Sequence, residues 1–487
     1  MILLFVACLV GAPTHSRSAQ SEPPHAAPAA GDAGLLGRGI GEYRAGNFQA
    51  ATRDLESAIR AKPHEAEAHA YLGLAMARMG DHSHAAEELE RAHEIDPANP
   101  DFAYDYSLLL IDLKRYSAAI PILEKLRSVQ QSPEVTVNLA RAYAGSGKWN
   151  SMSALVASLP GGLSANENFL QALAGILASS KQFGALENLW QRAIRRDPGA
   201  SLPYAALAEL WIEENRPREA IAMLDRAPQS ARDPVFLYAY GEAQMALQDS
   251  AAVGTFRRLV EQTPGNQSAW VALIRAELML GKFGDAEVTA QQAGRQFPDS
   301  RVFLYEVAVA DYLMDRNDAA LAAVRQVIGS PGGSIPQDLL LAAVLESETG
   351  NYVEAVNYFH KLESAEPTCD ALAAYFFGAT LLRMHQPSQA VAKLRIAIAC
   401  RPRFALAEYR LGQGLAELGR INQAVAMLGQ ATHDDPNLSD AYYVLAQLRR
   451  RTGDTQGARL ALEKFNQVRH DASPDETSLF RNALQQR

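Results

Sequence analysis

No stretch of these 487 residues is apolar for long enough to cross a bilayer as a helix. The nearest approach, MILLFVACLVGA at residues 1–12, has the length of a secretory-signal core and no more. An excess of positive charge is also missing. Forty-six Lys and Arg stand against 55 Asp and Glu, a formal net charge of −9. The chain therefore lacks the basic field that displaces counterions from nucleic acid, and a DNA or RNA partner is not expected. Catalytic signatures are absent as well: there is no G-x-S-x-G and no H-E-x-x-H. Gly145-Ser146-Gly147-Lys148 has Ala142 where a phosphate loop needs its first glycine, and Trp149 where Ser or Thr should follow the lysine. Gly37, Gly39 and Gly41, like Gly412 and Gly414, lack the third glycine and the preceding strand of a dinucleotide fingerprint. The expectation is a chain without catalytic residues, cofactor or metal.

What the sequence does contain is a period. From Ala66 to Asn99 it reads as two helices, with Leu72, Gly73 and Met76 on the first and Ala85, Leu89 and Ala92 on the second. A turn at Gly80-Asp81 separates them and Pro97 closes the unit. Prolines recur 34 residues apart at 63 and 97, at 264 and 298, and at 402 and 436. A fixed step of this size marks a stacked array of one module, and length then sets the number of modules and not of domains. Small residues where two helices cross let the backbones approach, while large ones beside them fill the grooves. Gly73, Ala85 and Ala92 have that arrangement in the second unit, and Gly412, Ala424 and Ala431 in the twelfth. Proline ends each module because it lacks an N–H and clashes with the preceding turn.

On these residues the chain resembles the tetratricopeptide repeat family, with the resemblance covering roughly residues 32–467. Thirteen units can be counted, which implies an all-α, right-handed superhelical solenoid. The fourth unit departs most, carrying Met152 and Val156 where a small and a large residue belong, followed by Pro160-Gly161-Gly162. A glycine-rich loop at 329–334 follows the ninth. The expected organisation is a signal-like segment 1–12, a tether 13–31, arrays 32–160, 161–332 and 333–470, and a tail 471–487 that caps the last hydrophobic face.

The resemblance implies that the leading helices line a concave groove. Tyrosine recurs at one groove position of the repeat, as Tyr104, Tyr238, Tyr305, Tyr375, Tyr409 and Tyr443, with Arg383, Gln413, Gln447, Arg450 and Arg451 nearby. Such a ladder offers large, rigid contact area to a protein partner, an extended peptide or a glycan chain, though tyrosine also packs against its own neighbours in such repeats. Lys114, Arg115 and Asn138 do not match the family's carboxylate clamp. Of the clustered histidines, His64, His69 and His93 fall at one end of a helical pair and His82 and His84 at the other, a spread that favours solvated or core-edge roles over a metal site.

Cys369 begins the leading helix of the eleventh unit and Cys400 ends its trailing helix. Antiparallel packing brings those ends together, so a disulfide there would add about 3 kcal/mol by closing the loop, the alternative being two separate small core residues. Cys8 lies in a loose lipoprotein-like box and is a possible lipid anchor. The expected role is a non-catalytic interaction scaffold, exported to a periplasmic or secreted location, with the cytoplasm as alternative. A glycan-binding or polysaccharide-export accessory of the bacterial envelope and the regulatory subunit of an enzyme complex are the other readings.

Overall fold

A computed structural model describes residues 34–161, 166–330, 335–365, 369–469 and 476–485. The signal-like segment with Cys8 and the tether 13–31 lie outside the described residues. Contacts divide the chain into two units, residues 1–249 and 250–487. Among the described residues both are helical, without strands.

The first unit contains α1 (Leu35–Arg44), α2 (Phe48–Ala61), α3 (Ala66–Arg78), α4 (His82–Ile95), α5 (Pro100–Asp112), α6 (Tyr116–Val129) and α7 (Pro133–Ser146). It continues with α8 (Trp149–Ala157), α9 (Glu167–Ser179), α10 (Phe183–Arg196), α11 (Ser201–Glu213), α12 (Pro217–Asp225) and α13 (Pro234–Ala246). The second holds α14 (Ala251–Gln262), α15 (Gln267–Met279), α16 (Phe283–Gln296), α17 (Arg301–Leu313), α18 (Asn317–Gly329), α19 (Pro336–Glu348) and α20 (Tyr352–Ala365). It ends with α21 (Ala371–Arg383), α22 (Pro387–Cys400), α23 (Ala405–Glu417), α24 (Ile421–Asp434), α25 (Ser439–Arg451), α26 (Thr455–Val468) and α27 (Glu476–Gln485). Odd-numbered helices from α1 to α25 lead and even-numbered ones trail, giving among the described residues six pairs in each unit, with α13 closing the first unit and α14 opening the second.

Within each unit a leading helix packs on its own trailing helix, and most leading helices also touch the next leading helix. The leading helices so form an inner layer within each unit. The close approach is built by a glycine–leucine lock with a constant step. A Cβ on Gly39, Gly73, Gly378 or Gly412 would lie 2.6–2.7 Å from Cγ of Leu55, Leu89, Leu394 or Leu428, sixteen residues later in each case. Only a bare backbone admits that leucine. Starts are fixed by Asp81, Asn99, Ser132, Asn166, Asp233, Asn266, Asp370 and Asp454, whose side chains accept from free N–H groups of the first turn.

Every leading helix is followed, one or two residues on, by a residue in the left-handed region. The thirteen are Gly46, Gly80, Lys114, Gly147, Lys181, Asn215, Gln248, Gly281, Asp315, Gly350, His385, Gly419 and Gly453. They are spaced 33 to 35 residues apart. The backbone thus keeps the repeat even where the side chain does not advertise it.

Buried apolar clusters extend on both sides of the divisions expected near residues 160 and 333. Residues 162–165 and 331–334 lie outside the described residues. Buried apolar side chains nevertheless form one cluster from Ala70 to Ala243 and another from Ile274 to Leu484. The irregular fourth unit is accommodated by shortening: α8 has nine residues, and Met152, Leu155 and Val156 are buried in the ordinary way. The sixth pair shortens similarly, α12 giving way to a 3₁₀ turn at Gln229–Ala231 after Pro228.

The tail is not the expected cap. Leu460 and Leu462 on α26 remain 49% and 43% exposed. The last helix, α27, turns its apolar stripe to the leading helices of its own unit instead, because aromatic rings there match Phe480.

Candidate functional site

The leading-helix face of the second unit carries the most developed cluster of charged and aromatic side chains. Its contributors are α17, α19, α21 and α23, and α27 lies against it. Glu476, in the first turn of α27, is the focus, with a side chain only 12% exposed. Its Oε1 accepts from Arg410 Nε at 2.8 Å and pairs with Nη2 at 2.7 Å, and it also accepts the Tyr375 hydroxyl at 3.1 Å. Its Oε2 pairs with Arg383. A carboxylate held by two guanidinium groups and a hydroxyl is charge-assisted on both oxygens, and its place at a helix N-terminus complements the helix dipole.

The supporting groups are fixed in turn. Arg383 Nη1 donates to Ser347 Oγ at 3.0 Å, and Ser347 shares a 2.8 Å hydrogen bond with Thr380. Arg410 Nη1 donates to Gln413 Oε1 at 2.8 Å, and Gln413 Nε2 donates to the Tyr409 hydroxyl at 2.8 Å. The Arg410 guanidinium also lies over the Tyr409 ring, 5.4 Å from its centroid and inside the reach of about 6 Å for such contacts. Burial alone would lower Arg410, yet the adjacent Glu476 carboxylate carries it above its ordinary value. Burial pushes the Tyr375 and Tyr409 hydroxyls up, so both remain proton donors.

One turn along α27, Phe480 is 1% exposed. Its ring meets Tyr312 edge-on at 5.4 Å and Phe376 at 5.3 Å, also edge-on. Leu484 is buried a further turn on. Arg481 pairs with Asp315, the left-handed turn residue after α17, and stacks over Tyr312 at 5.8 Å. The Tyr312 hydroxyl donates to Glu348 at 3.0 Å, and burial raises Glu348 above its ordinary value despite Arg383 and Arg481 nearby. A ten-residue helix is only about 15 Å long. For it to meet α15, α17, α21 and α23, this face must curve around it.

The structure therefore brings together Tyr375, Tyr409, Arg383 and Gln413 of the expected groove residues. It does not make them an open ladder, since Tyr375 and Tyr409 are buried. Tyr443 is 46% exposed and stacks near Phe465, 5.4 Å away, with Gln447, Arg450 and Arg451 exposed on the same helix. Tyr305 is half-buried and Tyr238 buried. In the first unit the half-buried Tyr104 accepts from Asn138 Nδ2 at 3.0 Å, one repeat later, so that pair belongs to the packing of α5 on α7.

Sequence reasoning passed over Arg410, Tyr312, Phe376, Glu476 and Phe480. The readable signal was the Glu476, Phe480, Leu484 stripe at helical spacing, which fits a groove as well as it fits a cap. Cys369 and Cys400 form a disulfide with Cα atoms 5.5 Å apart, joining the start of α21 to the end of α22. Of the clustered histidines, His69 is buried against Glu88 at 2.6 Å and His84 pairs with Asp81 at 2.8 Å.

Two family models, both described as tetratricopeptide repeat, match the chain. One covers residues 76–135 and the other residues 36–100, 241–301 and 409–467. Among solved structures, the APC/C hetero-tetramer Cut9-Hcn1 is 12% identical over 92% of this chain and 95% of that one, with a TM-score of 0.40. MamA from Desulfovibrio magneticus RS-1 is 21% identical over 35% of this chain and 97% of its own, with a TM-score of 0.33. YrrB, described as a TPR protein with an unusual peptide-binding site, is 20% identical over 40% and 97%, with a TM-score of 0.33. No curated protein matches the chain.

Proposed function

The chain is a tetratricopeptide-repeat protein, and from that premise we propose that it is a non-catalytic scaffold whose leading-helix faces hold segments of partner proteins. Repeats of this kind present long inner surfaces and are associated with protein and peptide binding. One observation carries the reading for this chain. The face formed by α17 to α23 is complementary to a polypeptide helix, since it engages one through a largely covered carboxylate, an aromatic ring and a leucine at successive turns. Paired ionic groups beside well-packed aromatic rings are the kind of anchor that dominates protein interfaces.

A glycan has less to recognise there, because Tyr375 and Tyr409 are covered and do not offer open stacking platforms. We place the protein in an oxidising compartment; the Cys369–Cys400 bridge supports this, as such bonds persist mainly outside the cytosol. Sequencing the N-terminus of the mature protein tests export.

The scaffold reading is tested by a photo-reactive residue introduced at Gln447 on the leading helix α25, or at Gln423 on the trailing helix α24, in the native cell. Both positions are exposed. Adducts to partner proteins are expected from 447 and not from 423. Adducts confined to 423, or to neither position, would overturn it.

A further inference from the structure

The second unit's groove is already occupied, and its occupant is the chain's own last helix. Resting on the scaffold reading, we propose that this face is the receptor for a partner's amphipathic helix bearing an acidic residue, an aromatic residue four positions later and a leucine four beyond that. In this view α27 is a resident stand-in that such a partner displaces.

Three observations carry this. First, the anchors of α27 follow that spacing, Glu476, Phe480 and Leu484, and the first two enter distinct subsites of the inner layer. The carboxylate enters the Arg410, Arg383 and Tyr375 pocket. The ring enters the Tyr312 and Phe376 slot. The leucine is buried with the apolar cluster of the unit. Second, the carboxylate subsite is held in shape from behind, by Ser347 on Arg383 and by Gln413 on Arg410. Such a preorganised charge pair recognises any helix presenting the same carboxylate. Third, a ten-residue helix is too short to persist alone in water, so α27 is helical because it is docked. Docking of a short tethered element is governed by its effective concentration, and a ligand in trans replaces it only by binding tightly enough to outcompete that concentration.

The experiment uses the full chain and a labelled synthetic peptide of sequence ETSLFRNALQ, copied from α27, as the probe. In the wild-type chain the resident helix competes, so binding is weak. Glu476→Gln combined with Phe480→Ala weakens the resident helix without touching the groove, and the peptide should then bind at least about tenfold tighter, the factor by which a mostly closed site reduces apparent affinity. Adding Arg410→Ala to that variant should remove the gain. Peptide binding no tighter in the double variant than in wild type, or a gain that survives Arg410→Ala, would overturn the proposal.

Should the double variant fold poorly by circular dichroism, Glu476→Gln alone serves, with a smaller gain in the same direction expected. A concentration-dependent dimer of the wild type that Phe480→Ala abolishes would instead identify the occupant as a second copy's α27 and overturn the partner assignment. Failure of the peptide test leaves the photo-adducts from position 447 as an independent readout, so loss of this inference and loss of the scaffold reading are distinguishable.

Discussion

Asp105 shows what a single misplaced charge does to an array of this kind. It sits half-buried on α5, its Oδ2 has no hydrogen-bond partner, and burial, aided by Asp101, pushes its carboxyl up to about 7. An acid whose folded value exceeds its unfolded value binds more protons when folded. Its contribution to stability is therefore present below about pH 4 and is lost as pH rises through 7. Asp105→Asn should raise stability at pH 8 by about 1–2 kcal/mol, by less at pH 5, and leave it nearly unchanged at pH 4, a trend read from thermal melts at the three pH values. Glu209 and Glu408, also raised to about 7 chiefly by burial, act in the same direction. None of these was visible beforehand, because a carboxylate on a leading helix looks the same in sequence whether its neighbours leave it wet or dry. The turn residues were half legible for a similar reason. Seven of the thirteen left-handed positions are glycine and announce themselves, whereas Lys114, Lys181, Asn215, Gln248, Asp315 and His385 do not. Replacing Lys181 or His385 with glycine should each stabilise the chain by about 0.5–1 kcal/mol, measured by denaturant unfolding, since a side chain in that region is strained.

At the scale of the helical pair, the sequence was most informative, because the small-against-large pattern is the packing itself. The lock between Gly412 and Leu428 makes a paired prediction. Gly412→Ala puts a Cβ 2.7 Å from Leu428 Cγ and should destabilise by about 1–3 kcal/mol. Gly429→Ala, on the trailing helix with open space around it, should stabilise by about 0.5–1 kcal/mol through helix propensity alone. Equal effects of the two in denaturant melts would show that the close approach is not what holds the pair. The eleventh pair is clipped by Cys369–Cys400, 31 residues apart in sequence. Cys369→Ser with Cys400→Ser should lower unfolding free energy by about 3–4 kcal/mol under oxidising conditions and by little under reducing ones. The spacing of those cysteines against the repeat was enough to foresee that their helix ends meet.

For the molecule as a whole, repetition made the number and order of the helices legible, and it hid where the repetition stops mattering. Thirteen units were countable, and buried apolar clusters run past both irregularities, Pro160-Gly161-Gly162 and 329–334, because shortening a helix absorbs an irregular repeat without parting its neighbours. The destination of α27 was the largest thing missed. Its stripe of Glu476, Phe480 and Leu484 states only that one face must be buried, and the choice between the bare end of α26 and the lined interior is made by Tyr312, Phe376, Arg383 and Arg410, which are far apart in sequence. Tyr375 and Tyr409 are buried as part of that interior, which is why a ladder counted from their spacing is not a row of free rings.

Hydrogen exchange of the α27 amides in the full-length chain tests the central claim most directly. Docking into the groove predicts that these amides are protected in the wild type, and that Arg410→Ala removes their protection while amides of α21 and α24 keep theirs. Exchange of α27 at free-chain rates in the wild type would contradict it.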